Sequence, residues 1–302
     1  MTTQGRLPST IGRVLTVLAG MVAPVFAPGG AGALAAPAVV LAAGDIAHCG
    51  EAGPKETAAL LDGLRGTVLA LGDLAYNNGT AREFRDCYDP TWGRYKARTR
   101  PAPGNHEYGT RDAAGYYGYW GARAGPRGRG YYSFDLGAWH LIALNSSIDA
   151  RAGSPQDTWL AADLAASRAR CVLAFWHHPV FSSGRHGNIE RMRPLFRRLY
   201  EAGASIVLGG HDHLYERFAP LDPEGRPDPA RGIREFVVGT GGARRYRFGS
   251  IQPGSEFRDR DHWGVLRLEL GATDYGWRFI GTDGRALDAG RGDCAPRAGG
   301  AQ

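Results

Sequence analysis

The sequence predicts a single mixed α/β domain. Three observations carry this. Short, nearly continuous apolar runs recur along the chain, each the length of a strand buried on both faces. Segments with helical periodicity fall between several of them. No internal repeat or linker divides the chain, and its 302 residues suffice for one large domain.

Residues 39–43 form the first run and end at Gly44-Asp45. Residues 57–64 read as a helix. Residues 67–71 repeat the first pattern and lead into Gly72-Asp73-Leu74-Ala75-Tyr76. After an aromatic, arginine-bearing loop region over 84–98, Pro101-Ala102-Pro103 arrives at Gly104-Asn105-His106-Glu107. Residues 108–130, rich in Gly, Tyr and Arg, read as a long surface excursion near the site. Residues 131–134 and 139–144 predict two antiparallel strands joined at Gly137. An amphipathic helix over 157–167 turns Trp159, Leu160 and Leu164 inward. The run 171–176 ends at His177-His178-Pro179, and a helix over 189–202 buries Leu195, Phe196 and Leu199. Residues 205–208 lead to Gly209-Gly210-His211-Asp212-His213. Residues 222–229 are a polar turn region, and 233–238, 265–270 and 277–280 read as further strands.

The composition is that of a globular protein, 43% hydrophobic and 22% charged. Arginine carries almost all of the +6 charge, since Lys55 and Lys96 are the only lysines. No dense basic run or aromatic–basic ladder appears, so no nucleic-acid partner is expected. The first 44 residues hold no acidic residue, and Arg6 and Arg13 precede an apolar stretch over 14–27. With Ala33-Leu34-Ala35 as a small-x-small cleavage site, residues 1–35 resemble a secretory signal peptide, followed by a domain over 36–302. Cleavage there would lower the charge from +6 to +4. Gly20, Pro24 and Pro28 interrupt the stretch, so no stable membrane insertion is expected, and the protein reads as secreted or extracytoplasmic. Four cysteines and no C-x-x-C pair fit two disulfides in an exported protein. Three pairings exist; Cys49 with Cys87 and Cys171 with Cys294 is the expected one, because the first two lie in loops after neighbouring strands.

Five apolar runs finish at a residue able to bind metal: Asp45, Asp73, Asn105, His177 and His211. In α/β sheets ligands collect beyond the carboxyl ends of the strands. If the turn stays extended, His211 and His213 point to one side and can hold neighbouring ions. With Tyr76 these make seven candidate ligands, more than one ion uses. Two ions, roughly 3.5–4 Å apart and bridged by Asp73, suit in-line displacement at phosphorus by a bridging hydroxide. His106 is then the expected general acid for the leaving alcohol. Glu107, grouped with it as catalytic, either orients His106 or supports the ligands from behind.

These motifs, taken in order, resemble the calcineurin-like metallophosphoesterase superfamily. Tyr76 and His213-Leu214-Tyr215-Glu216-Arg217 are most similar to purple acid phosphatases, and Gly239-Thr240-Gly241-Gly242 also looks family-like. Gly44-Asp45-Ile46-Ala47 departs from that subgroup in lacking a final glycine, and Ala174 stands where a valine is usual. Asp45 is too near the N-terminus for the additional β-sandwich domain of larger plant enzymes, so the resemblance is to a short, single-domain form. It implies a four-layer αββα sandwich of two mixed β-sheets flanked by helices. It also implies an iron(III) held by Asp45, Asp73, Tyr76 and His213, and a zinc, manganese or iron held by Asp73, Asn105, His177 and His211. His186 matches a substrate-facing position, and His178 and Arg185 are further candidate phosphate contacts. His48, at Asp-x-x-His spacing from Asp45, is not assigned as a ligand. The implied activity is hydrolysis of small phosphomonoesters. The alternatives are a phosphodiesterase on the same scaffold, acting on nucleotides or phospholipid headgroups, and a non-catalytic binding module.

Overall fold

The computed structural model describes residues 1–9, 12 and 36–297. The apolar stretch and cleavage site of the expected signal peptide lie outside the described residues. The body that begins at Ala36 contains thirteen strands among its described residues. No helix among the described residues is long and apolar enough to cross a membrane.

The first sheet forms from β1 (Ala38–Ala43), β2 (Thr67–Leu71) and β3 (Thr99–Ala102), which run parallel. Helix α1 (Gly53–Gly63) connects β1 to β2, starting with Pro54 in its first turn, where the missing N–H costs nothing. The short helices α2 (Ala81–Glu83) and α3 (Ala114–Trp120) follow on either side of β3. The second sheet begins with the hairpin β4 (Tyr132–Leu136) and β5 (Trp139–Ala143), turning at Gly137. Helix α4 (Pro155–Ala166) is capped by Ser154, whose hydroxyl accepts from the Asp157 N–H at 3.2 Å. Then come β6 (Cys171–Phe175), α5 (Arg193–Glu201), β7 (Ile206–Gly209), β8 (Tyr215–Leu221), β9 (Ile233–Val238) and β10 (Ser255–Asp259). The chain returns to the first sheet through β11 (Gly264–Leu270), β12 (Asp274–Gly281) and β13 (Ala286–Asp293).

The strand orders are β13-β12-β11-β1-β2-β3 and β10-β8-β9-β7-β6-β5-β4, both mixed. Alternate side chains of β6 show the layering. Leu173 and Phe175 join the core between the sheets with Leu41, Leu69 and Leu268. Val172 and Ala174 face outward, onto Leu160 and Leu164 of α4 and Leu195, Phe196 and Leu199 of α5. Strands covered on both faces read as continuous apolar runs, and this is the expected αββα sandwich.

Two segments differ from expectation. Residues 84–98 are helical turns rather than loop: a π-helical turn at Phe84–Tyr88 and a 3-10 segment at Trp92–Arg98. Residues 108–130 are not a surface excursion, because Tyr116, Tyr117 and Trp120 are buried and Trp120 packs edge-on against Tyr88 at 5.7 Å. Aromatic packing orders a segment whose glycine content reads as loop.

Both expected disulfides form. Cys49–Cys87 ties the loop after β1 to the π-helical turn, and Cys171–Cys294 ties the start of β6 to the segment after β13. The second closes a span of 123 residues. Replacing Cys171 and Cys294 together by alanine is expected to lower unfolding free energy by about 2–5 kcal/mol. Urea unfolding under non-reducing conditions measures this, and an unchanged midpoint contradicts it.

Candidate metal centre

The parallel strands of both sheets deliver their carboxyl ends to one place, and backbone hydrogen bonds join the two sheets there. The Gly44 N–H donates to the Val238 carbonyl at 2.9 Å and the Ala243 N–H to the Asp45 carbonyl at 2.8 Å. His177 Nδ1–H donates to the Leu71 carbonyl at 2.9 Å. The turn between β7 and β8 is not extended as expected. His211 has φ 70°, and Asp45 and Asp73 have φ 59° and 51°. Left-handed backbone at non-glycine residues costs on the order of 1–3 kcal/mol each. It persists here because each turn is held from several sides.

Glu107 supplies much of that restraint. Its buried carboxylate accepts from the N–H groups of Asp73 at 2.9 Å, Leu74 at 2.8 Å and Gly104 at 2.7 Å. Burial, reinforced by the Asp73 charge, raises its pKa to about 7, with the Gly104 and Leu74 N–H groups pulling the other way. Its oxygens bind backbone behind Asp73 rather than the His106 ring, which is the supporting one of the two arrangements expected for it. Gly104 allows this closeness, since a Cβ there would lie 2.1 Å from Asp73 Oδ1.

Six of the seven candidate ligands converge. The Tyr76 hydroxyl donates to Asp45 Oδ1 at 2.9 Å and lies 3.4 Å from Asp73 Oδ2 and 3.2 Å from His213 Nε2. His177 Nε2 lies 3.0 Å from Asp73 Oδ2 and 3.3 Å from His211 Nδ1. Asp45, Asp73 and His177 present ligand atoms within 4.8 Å of one another. Asp73 thus faces both groups, one with Tyr76 and Asp45, the other with His177. Asn105 is exposed beside this cluster, and its side chain makes no hydrogen bond among the described residues.

The donor set fits cations. Asp45 and Asp73 are 0% and 1% exposed, and among the described residues no Arg or Lys pairs with either. Burial opposes the Asp45 charge, yet His213, His177 and His211 outweigh it and hold the group below the usual carboxylate range. Burial lowers His177, but Asp73 and Asp45 raise it to about 9, so cation binding there displaces a proton. Burial and the Asp45 and Asp73 charges push the Tyr76 phenol well up. His177 and His213 spend Nδ1–H on the Leu71 and Arg244 carbonyls, which leaves Nε2 of each for a metal.

His106 stands at the rim, its ring 4.4 Å from Tyr76 and its Nε2 3.8 Å from Asp73 Oδ2. Its Nδ1–H donates to the Asn77 carbonyl, and its N–H to Asp73 Oδ1 at 2.8 Å. The exposed His186 has its ring 4.3 Å from His211. Arg185, also exposed, lies further out, 5.6 Å from the Tyr246 ring. His178 is buried, its ring 4.3 Å from that of His211. Its Nε2 accepts from Arg191 at 2.9 Å, so its Nδ1–H donates to Ser146 Oγ at 2.8 Å, and both ring nitrogens are used. His48 stays apart, its ring 6.1 Å from Tyr76. Tyr246 escaped the sequence reading. It stacks on His213 at 3.9 Å and 10°, and only the neighbouring Gly239-Thr240-Gly241-Gly242 pointed to this loop.

Known proteins resemble this chain in sequence and in fold. The chain is 31% identical over 227 residues to purple acid phosphatase 21 of Arabidopsis thaliana, a match covering 66% of this chain and 49% of that protein. It is 30% identical over 219 residues to purple acid phosphatase 15 of the same plant, covering 59% and 40%. The chain therefore spans half or less of the length of these relatives. The purple acid phosphatase PPD1 from yellow lupin (Lupinus luteus) seeds shares its fold, with TM-score 0.68, 22% identity and coverage of 85% and 54%. A dimetal phosphatase from Danio rerio does so at TM-score 0.57 and 14% identity, covering 86% and 100%. The sequence model of the family described as calcineurin-like phosphoesterase matches residues 31–215, which contain Asp45, Asp73, Tyr76, Asn105, His106, His177, His211 and His213. The chain belongs to the calcineurin-like phosphoesterase family.

Proposed function

We propose that this chain is an exported, dinuclear-metal phosphoesterase that hydrolyses small phosphomonoesters. The convergence of Asp45, Asp73, Tyr76, His177, His211 and His213 on a site without an arginine or lysine partner among the described residues carries the proposal. Asp45, Asp73, Tyr76 and His213 would hold one ion, and Asp73, Asn105, His177 and His211 the other. When bound, the two ions supply Lewis acidity to the phosphoryl oxygens and lower the pKa of a water. A phenol raised by two carboxylates ionises only beside a strong Lewis acid, which supports iron(III) at the Tyr76 position. Zinc, manganese or iron suits the second. The two disulfides support export, with residues 1–35 as the signal peptide and 36–302 as the catalytic domain.

The chain's own groups have separate tasks. His106 holds a proton at Nε2 for the departing alcohol, its ring fixed through the Nδ1–H bond to Asn77. Glu107 keeps the Asp73 turn rigid from behind. His186 borders the open side beside His211 and can receive a phosphoryl oxygen.

In the metal-loaded protein, His106→Ala is expected to slow hydrolysis of an alkyl phosphate by about 10²–10⁴-fold. With p-nitrophenyl phosphate, whose leaving group needs no proton, the loss should be below roughly tenfold. Equal losses on both substrates would remove His106 as the acid, and no turnover of any phosphomonoester by the native protein would sink the hydrolase proposal. The iron-loaded protein should show a visible tyrosinate-to-iron absorption band that Tyr76→Phe abolishes. A colourless, fully active zinc or manganese enzyme contradicts the iron(III) assignment.

A further inference from the structure

Two segments beside the metal centre carry arginines that no carboxylate among the described residues pairs with. Arg185 lies on the segment after β6; Arg244, Arg245 and Arg247 lie on the segment after β9. All four are exposed, and among the described residues none forms a salt bridge to a carboxylate. Elsewhere the chain pairs its arginines freely: Arg198 with Asp157, Arg217 with Asp288, Arg234 with Glu256.

The position of Arg185 is built. Its segment hangs on three buried carboxylates, one on β9, one on β8 and one in the turn between β7 and β8. Glu235 accepts from the Val180 and Phe181 N–H groups at 2.8 and 2.9 Å. Glu216 accepts from the Ser183 N–H at 2.7 Å and from its hydroxyl. Asp212, between His211 and His213, accepts from the Ser182 hydroxyl at 2.6 Å and the His186 N–H at 2.9 Å. The two arginine-bearing segments are also joined, since the Gly249 N–H donates to the Ser183 carbonyl at 2.7 Å. Tyr246 is fixed by its stacking on His213 and by its N–H, which donates to the His213 carbonyl at 3.0 Å. The Arg185 guanidinium, 5.6 Å from the Tyr246 ring, therefore stands one aromatic ring beyond the ligand set on a hydrogen-bonded segment.

We propose that Arg185 and Tyr246 form a second anion subsite that selects esters carrying a second phosphate. The proposal rests on the phosphoesterase reading for its first subsite. The metal centre takes the scissile phosphoryl group, and the Arg185 fork pairs with the other phosphate, as guanidinium geometry favours. Tyr246 separates the two and gives the substrate's carbon frame an aromatic face.

The test compares fructose 1,6-bisphosphate with fructose 6-phosphate, which differ only by the second phosphate. The native metal-loaded protein should favour the bisphosphate in kcat/KM by at least about tenfold, the size expected for one added bond to a charged group. Arg185→Ala, at an exposed position, should bring the ratio close to one, with Arg185→Lys intermediate. Calorimetry should show the matching loss of affinity for the bisphosphate in Arg185→Ala. An unchanged ratio overturns the subsite. So does an equal loss on both substrates, which would put Arg185 on the scissile phosphoryl group. If the native protein hydrolyses neither sugar phosphate, calorimetry with the two ligands still decides whether Arg185 reads the second phosphate; the phosphoesterase reading fails separately, only when p-nitrophenyl phosphate and every other phosphomonoester also go unhydrolysed.

Discussion

Two carboxylates, Asp45 and Asp73, are buried side by side with no arginine or lysine among the described residues to neutralise them. Burying like charges together costs several kcal/mol unless positive charge is brought to them. Here the neighbours are imidazoles and a phenol, groups that are themselves metal ligands. The arrangement makes sense as a receptacle for cations, and much of the surrounding structure keeps it from relaxing. Asp45 Oδ2 accepts from the His211 N–H and Asp73 Oδ1 from the His106 N–H, both at 2.8 Å, so each carboxylate also fixes the turn that brings the next side chain in.

That mutual restraint explains the layered fold. No single sheet supplies all the donors: Asp45 and Asp73 come from the first, His177, His211 and His213 from the second. The sheets must pack with the carboxyl ends of their parallel strands aligned, and the Gly44–Val238 and His177–Leu71 bonds stitch them at that level. Left-handed backbone at three of these residues is tolerated because the sheets beneath are fully packed. A second tier of buried carboxylates, Glu107, Glu216 and Glu235, serves structure instead, each accepting from backbone N–H groups of a turn near the site.

Strand-end ligands were legible because the signal is local: an apolar run, a glycine, then a donor. The central strands were legible for the same reason, being buried on both faces. β8, β10 and β13 were not, because charged residues such as Arg217, Glu256 and Arg291 interrupt their patterns where one side meets solvent or salt-bridge partners. The place of Tyr246 and the hydrogen-bond partners of Glu107 and His178 depend on how distant loops meet, which local pattern does not encode. His178 follows a ligand candidate and looks equally available in sequence, yet Ser146 and Arg191 occupy both its nitrogens. The tyrosines of 108–130 looked like loop residues until their partners Phe84 and Tyr88 came from another segment.

On the proposed reading, the buried aspartates hold two neighbouring cations, with Asp73 between them. A crystal structure of the metal-loaded protein, with anomalous scattering recorded at the metal edges, tests this most directly. The account predicts two ions per chain, both in contact with Asp73, one also bound by Tyr76 and His213 and the other by His177 and His211. A single ion, or two ions that share no Asp73 contact, would contradict it.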